Sequence, residues 1–295
     1  MKLEEFEITR GINEHQTASL ERNDRTIDYT ASKKLSYSDI LGLLKGVNVV
    51  SEFFDVNAIV VVSATGIVST ALGKSLQEAL MSAIDCNPID FLNSTVVLSG
   101  EIDSDIAKIL KQVKIVAAPK FTPNAADYLE KSEINCVTIN TPLKDYKKFL
   151  SNEIRVTPFG TLTQTPNLSE LDKNTFKVVS KIKPTVEQIE DAVFAWKIAK
   201  HATSQAVIIA KDLRTSAITG GMYSSSCTQA LNYACEMAKD AVLASDMPIS
   251  LHDINAAVQC RIALVIVPFA DTEIIKTADK YNLALITTGI TNILV

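Results

Sequence analysis

The sequence predicts an α/β protein made of two modules of the same kind, and three observations carry that prediction. Short apolar, β-branched runs such as "IVVV" (59–62) and "VIIA" (207–210) read as buried strands. They alternate with segments of helical period, the pattern of a mostly parallel or mixed sheet covered on both faces. The chain also matches itself at an offset near 148 residues, where "NAIVVVS" (57–63) sits beside "QAVIIAK" (205–211).

The first half begins with a helix that leads into strand 57–63. The stretch Ser63-Ala64-Thr65-Gly66 then reads as a loop at the strand's carboxyl end, where ligands usually bind in α/β proteins. "SDIAKIL" (104–110) corresponds to "HDINAAV" (252–258), and the strand–helix–strand unit 113–141 to 262–289, with Pro119 over Pro268. Between the halves, the stretch 142–183 carries Pro142, Pro158 and Pro166 and reads as a connection; the modules are placed at 1–165 and 166–295. In the second half Pro184-Thr185 opens a helix, with Thr185 and Gln188 spaced as a capping box and Ile189, Val193 and Trp196 on its apolar face. Strand 206–210, a loop around Gly220-Gly221, helix 227–240, strand 241–244, helix 253–259 and strand 262–267 follow.

Composition narrows the function. The 295 residues are 47% hydrophobic and 21% charged with a mean hydropathy of +0.15, enough apolar material for a large core. The net charge of −5 leaves no basic excess for a nucleic-acid backbone. No apolar run is long enough to span a bilayer, and "MKLEEF" has no export signal, so a cytoplasmic location away from membranes is expected. Cys86, Cys136, Cys227, Cys235 and Cys260 form no C-x-x-C pair and read as free thiols; His15, His201 and His252 are too dispersed for a local metal motif. No metal is expected.

Several polar stretches are candidates for binding. Gly220-Gly221 followed by "SSS" (224–226) offers backbone N–H groups and hydroxyls to a phosphate, or is a plain turn. "INEHQ" (12–16) gathers Asn13, His15 and Gln16, or is a surface loop. Asp253 stands near a helix start, where N-capping is the ordinary explanation. No GxGxxG, GxxxxGK, HExxH or GxSxG motif is present.

A longer series is more specific. "KPTVEQIEDAVFAWKIAKHATSQAVIIAKD" (183–212), "AVLASD" (241–246) and a terminal strand–helix–strand unit resemble the 5-aminoimidazole-4-carboxamide ribonucleotide (AICAR) transformylase portion of the bifunctional purine-biosynthesis enzyme. "GINEHQ" (11–16), "LSYSDIL" (35–41) and "IVAAPKFTPNA" (115–125) resemble that family's G-E-N-P-H-Q, L-S-Y-N-N-I-L and V-I-A-P-x-F-x-x-x-A. The resemblance covers nearly the whole chain, without the cyclohydrolase domain that precedes it in the family. It implies two tandem cytidine-deaminase-like α/β/α modules without zinc. It also implies formyl transfer from 10-formyltetrahydrofolate to a small, nucleotide-like substrate, at sites on a homodimer interface.

Against that pattern the reacting positions differ. The family's V-K-H-x-N-P-C-G, whose Lys and His manage protons, has Val62 and Ser63 at those two positions. Its S-N-A is Ser204-Gln205-Ala206, its G-Q-x-S-R ends in Ser224-Ser225, and its Arg-Tyr is Thr9-Arg10. S-A-F-G-G has Asn93-Ser94 for its glycine pair, the folate-lining F-F-P-F reads Pro248-Ile249-Ser250-Leu251, and R-H-F-x-H is replaced by "TNILV". Asn13, His15, Gln16, Ala210-Lys211-Asp212 and Asp253 match. The resemblance therefore implies catalytic roles at Asp253, Ser63 and Gln205, and substrate binding by Arg10, Asn13, His15, Gln16, Thr65, Gly221 and Ser224. Three readings stay open: an ordinary AICAR transformylase, a transferase with an altered substrate, and an inactive homologue that binds or regulates. The retained Asp253 and "NEHQ" favour the second.

Overall fold

A computed structural model of the chain describes residues 4–22, 25–63, 66–171, 176–221 and 225–294. The first half contains β1 (Tyr29–Ala31), α1 (Tyr37–Val50), β2 (Asn57–Ser63), β3 (Gly66–Gly73), α2 (Leu76–Cys86), β4 (Thr95–Leu98), α3 (Ser104–Ile109), β5 (Ile115–Ala118), α4 (Pro123–Lys131) and β6 (Asn135–Ile139). The second half contains β7 (Lys177–Val178), α5 (Val186–Ala199), β8 (Val207–Lys211), β9 (Arg214–Thr219), α6 (Ser226–Ala234), β10 (Val242–Ser245), α7 (Leu251–Gln259), β11 (Leu264–Val267), α8 (Thr272–Lys280) and β12 (Ala284–Thr287).

These strands form one mixed 12-stranded sheet in the order β7-β12-β11-β10-β8-β9-β3-β2-β4-β5-β6-β1. Outward from the centre each half has the same sequence of strands, with β2 and β8 in equivalent places. The orientations agree as well: β4–β5–β6 and β10–β11–β12 are parallel runs, and the hairpins β2–β3 and β8–β9 are antiparallel.

Alternate residues of the central strands feed opposite faces. Val60, Val62 and Ile208 join Val47, Phe53, Phe194 and Ile198 in one core that spans both halves beneath α1 and α5. On the other face Ile59 and Val61 pack with Leu80 and Leu129, while Val207 and Ile209 pack separately with Leu231 and Ile254. The α1 layer lies close to the sheet because residue 46 is glycine: a Cβ there would stand 2.4 Å from Val97 Cγ2. Local signals set the helix starts. Ser36 and Asp39 form a capping box on α1, and Thr185 and Gln188 form the one expected on α5.

Three expectations need correction. Ser63 pairs directly with Gly66 and residues 66–73 form a central strand, so Gly66 belongs to that strand and not to a loop, while Ala64 and Thr65 lie outside the described residues. Likewise Arg214–Thr219 is a strand, joined to β8 through Asp212 and Leu213, both at positive φ as a two-residue hairpin turn requires. Helix α7 starts at Leu251 with Ser250 as its N-cap; Asp253 is the third helical residue of a capping box, not the cap.

The 142–183 connection is more ordered than its prolines suggest. Glu153–Thr157 and Gly160–Gln164 form a separate two-stranded hairpin that projects into solvent. Among the described residues no helix is long and apolar enough to cross a membrane, and no group of His, Cys, Asp and Glu is arranged to hold a metal.

Candidate functional site

The two halves are stitched together at β3 and β9. Arg214 pairs with Ala71, Leu72 N–H donates to Leu213 O at 2.9 Å, and Thr70 N–H donates to Thr215 Oγ1 at 3.0 Å. Beyond Thr70 the ladder is not continued, and residues 66–68 and 215–218 line a cleft of about 520 Å³. Ser63, Asn87, Ile89 and Asp90 complete that cleft, together with Tyr233 of α6. A second cleft of about 340 Å³ is lined by Lys45, His201, Thr203, Thr219, Gly220 and Gln229. Gly66, Ile67, Ile218 and Tyr233 border both, so the two meet at the seam. Tyr233, 69% exposed, stands at the junction.

His201 is the notable group of the smaller cleft. It follows α5, and its Nε2 lies 3.1 Å from Glu52 Oε1, on the short helical turn after α1. Burial pushes its pKa below the ordinary histidine value, against the pull of Glu52. The Glu52 carboxylate thus orients the ring through Nε2. Glu52 itself is 6% exposed and surrounded by cations. Its Oε1 accepts from Lys200 Nζ at 3.0 Å, its Oε2 from Lys147 Nζ at 3.0 Å, and its backbone oxygen from Lys197 Nζ at 2.8 Å. Burial alone would raise the carboxyl; the His201 bond and the Lys200 charge reverse this and hold it far below the carboxylate range.

Loop closure behind the smaller cleft depends on Gly220. A Cβ there would meet the Thr203 carbonyl oxygen at 2.0 Å, and the next residue, Gly221, sits at φ +76° with its N–H on Ser204 O at 3.1 Å. Ser204 in turn bonds to Asp246, which is wholly buried and also accepts Ala206 N–H at 2.8 Å. Burial raises the Asp246 carboxyl despite these donors.

The sequence-derived candidates fall in three places. Ser63 alone lines the seam. Gln205 is buried beside Asp246, with Nε2 donating to Pro248 O at 3.3 Å, and Asp253 lies further along the same half. Asp253 Oδ2 accepts from Ser250 N–H and hydroxyl at 2.9 and 2.7 Å, while its buried Oδ1 has no hydrogen-bond partner. Arg10, Asn13, His15 and Gln16 form an exposed N-terminal loop. Its polar groups satisfy one another: Asn13 N–H and Nδ2 both donate to Gln16 Oε1 at 3.0 Å, and Arg10 pairs with Glu14 at 3.0 Å. Thr65 and Ser224 lie outside the described residues.

Sequence reasoning did not reach Glu52, Lys45 or Tyr233. Only the topology carries Glu52 to the end of α5, and Tyr233 follows no motif.

Comparison with known proteins adds a family. The family described as AICARFT/IMPCHase bienzyme matches residues 2–236. The chain is 29% identical over 296 residues to "Bifunctional purine biosynthesis protein PurH" of Anoxybacillus flavithermus, covering 95% of this chain and 57% of that protein. The protein of that name from Acetivibrio thermocellus is 30% identical over 266 residues (87% and 51%), and that of a Cyanothece species 30% over 293 residues (94% and 56%). The chain thus spans about half the length of the curated relatives it matches.

Proposed function

The chain belongs to the AICARFT/IMPCHase bienzyme family, and from that premise we propose that it is a formyltransferase-type enzyme acting on an altered, nucleotide-like small molecule. One observation carries this reading: two clefts meet at the seam between the halves, and the smaller holds a histidine oriented by a buried carboxylate. Transfer of a formyl group to an amine forms an N–C bond, breaks the donor's N–C bond, and moves one proton from the attacking nitrogen. A base with a free lone pair near that nitrogen typically contributes about 10²–10⁴-fold. His201, held through Nε2 by Glu52, is the group of that chemistry in the smaller cleft, whereas Val62 and Ser63 are not such groups.

The family's donor, 10-formyltetrahydrofolate, brings an activated one-carbon unit. The segment aligned with the family's folate-lining aromatics does not fit a pterin here, because Ile249 is buried and the Ser250 hydroxyl caps α7. The larger cleft fits better. Tyr233, Ile89 and Ile218 give it apolar walls, and Asp90 offers a carboxylate to a donor edge. Lys45 suits an anionic group of the acceptor in the smaller cleft.

The protein on this reading comprises two cytidine-deaminase-like modules divided near residue 165, acts in the cytoplasm, uses no metal, and works as a homodimer. The projecting hairpin, with Ile154, Val156, Phe159 and Leu162 all exposed, favours a second copy as its cover.

The test is calorimetric titration with 5-formyltetrahydrofolate and tetrahydrofolate. Binding that is lost in Tyr233→Ala and weakened in Asp90→Asn supports the transferase reading. Absence of binding by either folate contradicts it and favours an inactive homologue, the reading to which the capping role of Asp253 and the buried Val62 already lean.

A further inference from the structure

Glu52 also borders a small cavity that shares no lining residue with the two clefts of the seam. It measures about 230 Å³. Trp196, Leu171 and Phe54 give it apolar walls. Three lysines line it as well: Lys197 of α5, Lys200 just past the end of that helix, and Lys147 of the turn Leu143–Phe149.

The three ammonium groups are not equivalent. Lys200 Nζ donates to Glu52 Oε1 at 3.0 Å and to Ser169 O at 2.7 Å. Lys147 Nζ lies 3.0 Å from Glu52 Oε2 and 2.9 Å from Glu170 Oε1. Lys197 Nζ pairs with no carboxylate among the described residues. Its partners are the Glu52 backbone oxygen, at 2.8 Å, and the Phe53 ring, 5.0 Å away at the centroid. Burial lowers the Lys197 pKa below the ordinary lysine value against the pull of Glu52 and Asp55, and the Lys147 charge adds to the lowering. Burial alone would lower Lys147 too, but Glu170 and Glu52 reverse this and raise it.

A desolvated lysine beside another cation is the form a nucleophilic amine takes in proteins. Acylation of Lys197 breaks no ion pair, and it removes one of three neighbouring positive charges. The amide that results keeps one N–H for the Glu52 backbone oxygen, so only the cation–π contact with Phe53 is given up. At Lys200 or Lys147 the same change would strip a cation from the buried Glu52 carboxylate. We infer that Lys197 is an acylation site, which takes a short acyl group, acetyl to butyryl, from an acyl phosphate, the acyl chain lying in the cavity against Trp196 and Leu171. A cavity of this size admits such a donor and excludes a large acyl carrier. The deprotonated amine attacks the carbonyl carbon, and the N–C bond forms as the C–O bond to phosphate breaks. Phosphate leaves with the bonding pair, and the nitrogen gives its proton to water.

Acetyl phosphate, incubated with the whole chain at about pH 8 and followed by site-resolved peptide mass spectrometry, tests this. Lys197 is expected to acetylate about tenfold faster than Lys147 or Lys200. It should also outpace Lys111 and Lys276, although both of these are exposed. The fluorescence of Trp196, the sole tryptophan and part of the cavity wall, should change in step with the Lys197 label. Lys197→Arg should remove that change and leave the labelling of Lys111 and Lys276 intact. Should the variant fail to fold, the parent chain unfolded in urea serves instead: there all five lysines should react alike. Three results overturn the inference: Lys197 no faster than Lys111 and Lys276, equal labelling of the three cavity lysines, or the same preference in the unfolded chain.

Discussion

Replacing Glu52 by alanine should cost more stability than any other single change of a charged side chain in this protein. The carboxylate is 6% exposed, and Lys200, 7% exposed, is equally enclosed. Removing the anion leaves the Lys200 ammonium buried beside Lys147 and strips His201 of its acceptor. Breaking a buried pair from one side costs about 3–5 kcal/mol, because the remaining Lys200 charge keeps only the Ser169 carbonyl oxygen, at 2.7 Å. For a protein of this size that corresponds to a melting-temperature drop of roughly 5–8 °C. Urea unfolding followed by the fluorescence of Trp196, the sole tryptophan and itself on α5, reads the loss directly. A cycle with Lys200→Met should return a coupling of about 1–3 kcal/mol. The pH profile gives an independent check. The Glu52 carboxyl is depressed in the folded chain, so its contribution is complete above its ordinary value of 4.5 and is lost as pH falls below it. His201 is also depressed by burial, so protons favour the unfolded chain below 6.5 and stability falls in that range too. The alanine variant should lose the steep fall below 4.5. A cost under about 1 kcal/mol would refute the reasoning, because surface ion pairs give no more than that.

Three other outcomes follow from the same geometry. Gly220→Ala drives a Cβ to 2.0 Å from the Thr203 carbonyl oxygen and should cost about 2 kcal/mol or more in urea unfolding; a loss below roughly 0.5 kcal/mol would show that the loop yields freely. Restoring the family's pair with Val62→Lys and Ser63→His should not yield AICAR formylation, since Val62 is 1% exposed within the core and a lysine there lowers stability by several kcal/mol unless it loses its proton; a stable, active double variant would contradict this. Light scattering at micromolar concentration should show a homodimer, and Phe159→Asp on the exposed hairpin should shift it toward monomer; a parent protein that is already monomeric would remove the dimer from the account.

The sequence discloses strands best where apolar β-branched residues run together, as in 57–63 and 205–211, and helix starts where a capping box is complete, as at Thr185. It concealed the strands at the centre of the sheet. Gly66–Gly73 and Arg214–Thr219 are rich in small and hydroxylated residues and adjoin the stretches read as loops, at 63–66 and around Gly220-Gly221. In the folded chain two of those hydroxyls are buried and bonded inward: Ser69 Oγ donates to Ala83 O at 2.8 Å, and Thr215 Oγ1 to Thr70 O at 3.2 Å. Asp253 was ambiguous for a related reason, since Ser250 and Asp253 are both ordinary capping residues and only backbone geometry separates their roles. The site was less legible still. Ser63 marks one wall of the seam, but Glu52 and His201 meet only because α1 and α5 lie on the same face of a sheet that no local pattern reveals.

The most direct test is the transformylase assay itself: purified protein with AICAR and 10-formyltetrahydrofolate, followed by release of tetrahydrofolate beside an authentic transformylase. The proposed reading, in which Val62 and Ser63 stand at the family's Lys and His positions and the acceptor differs, predicts no detectable turnover of AICAR. Turnover within about tenfold of the control, a barrier difference of only about 1.4 kcal/mol, would contradict it and return the protein to the ordinary purine reaction.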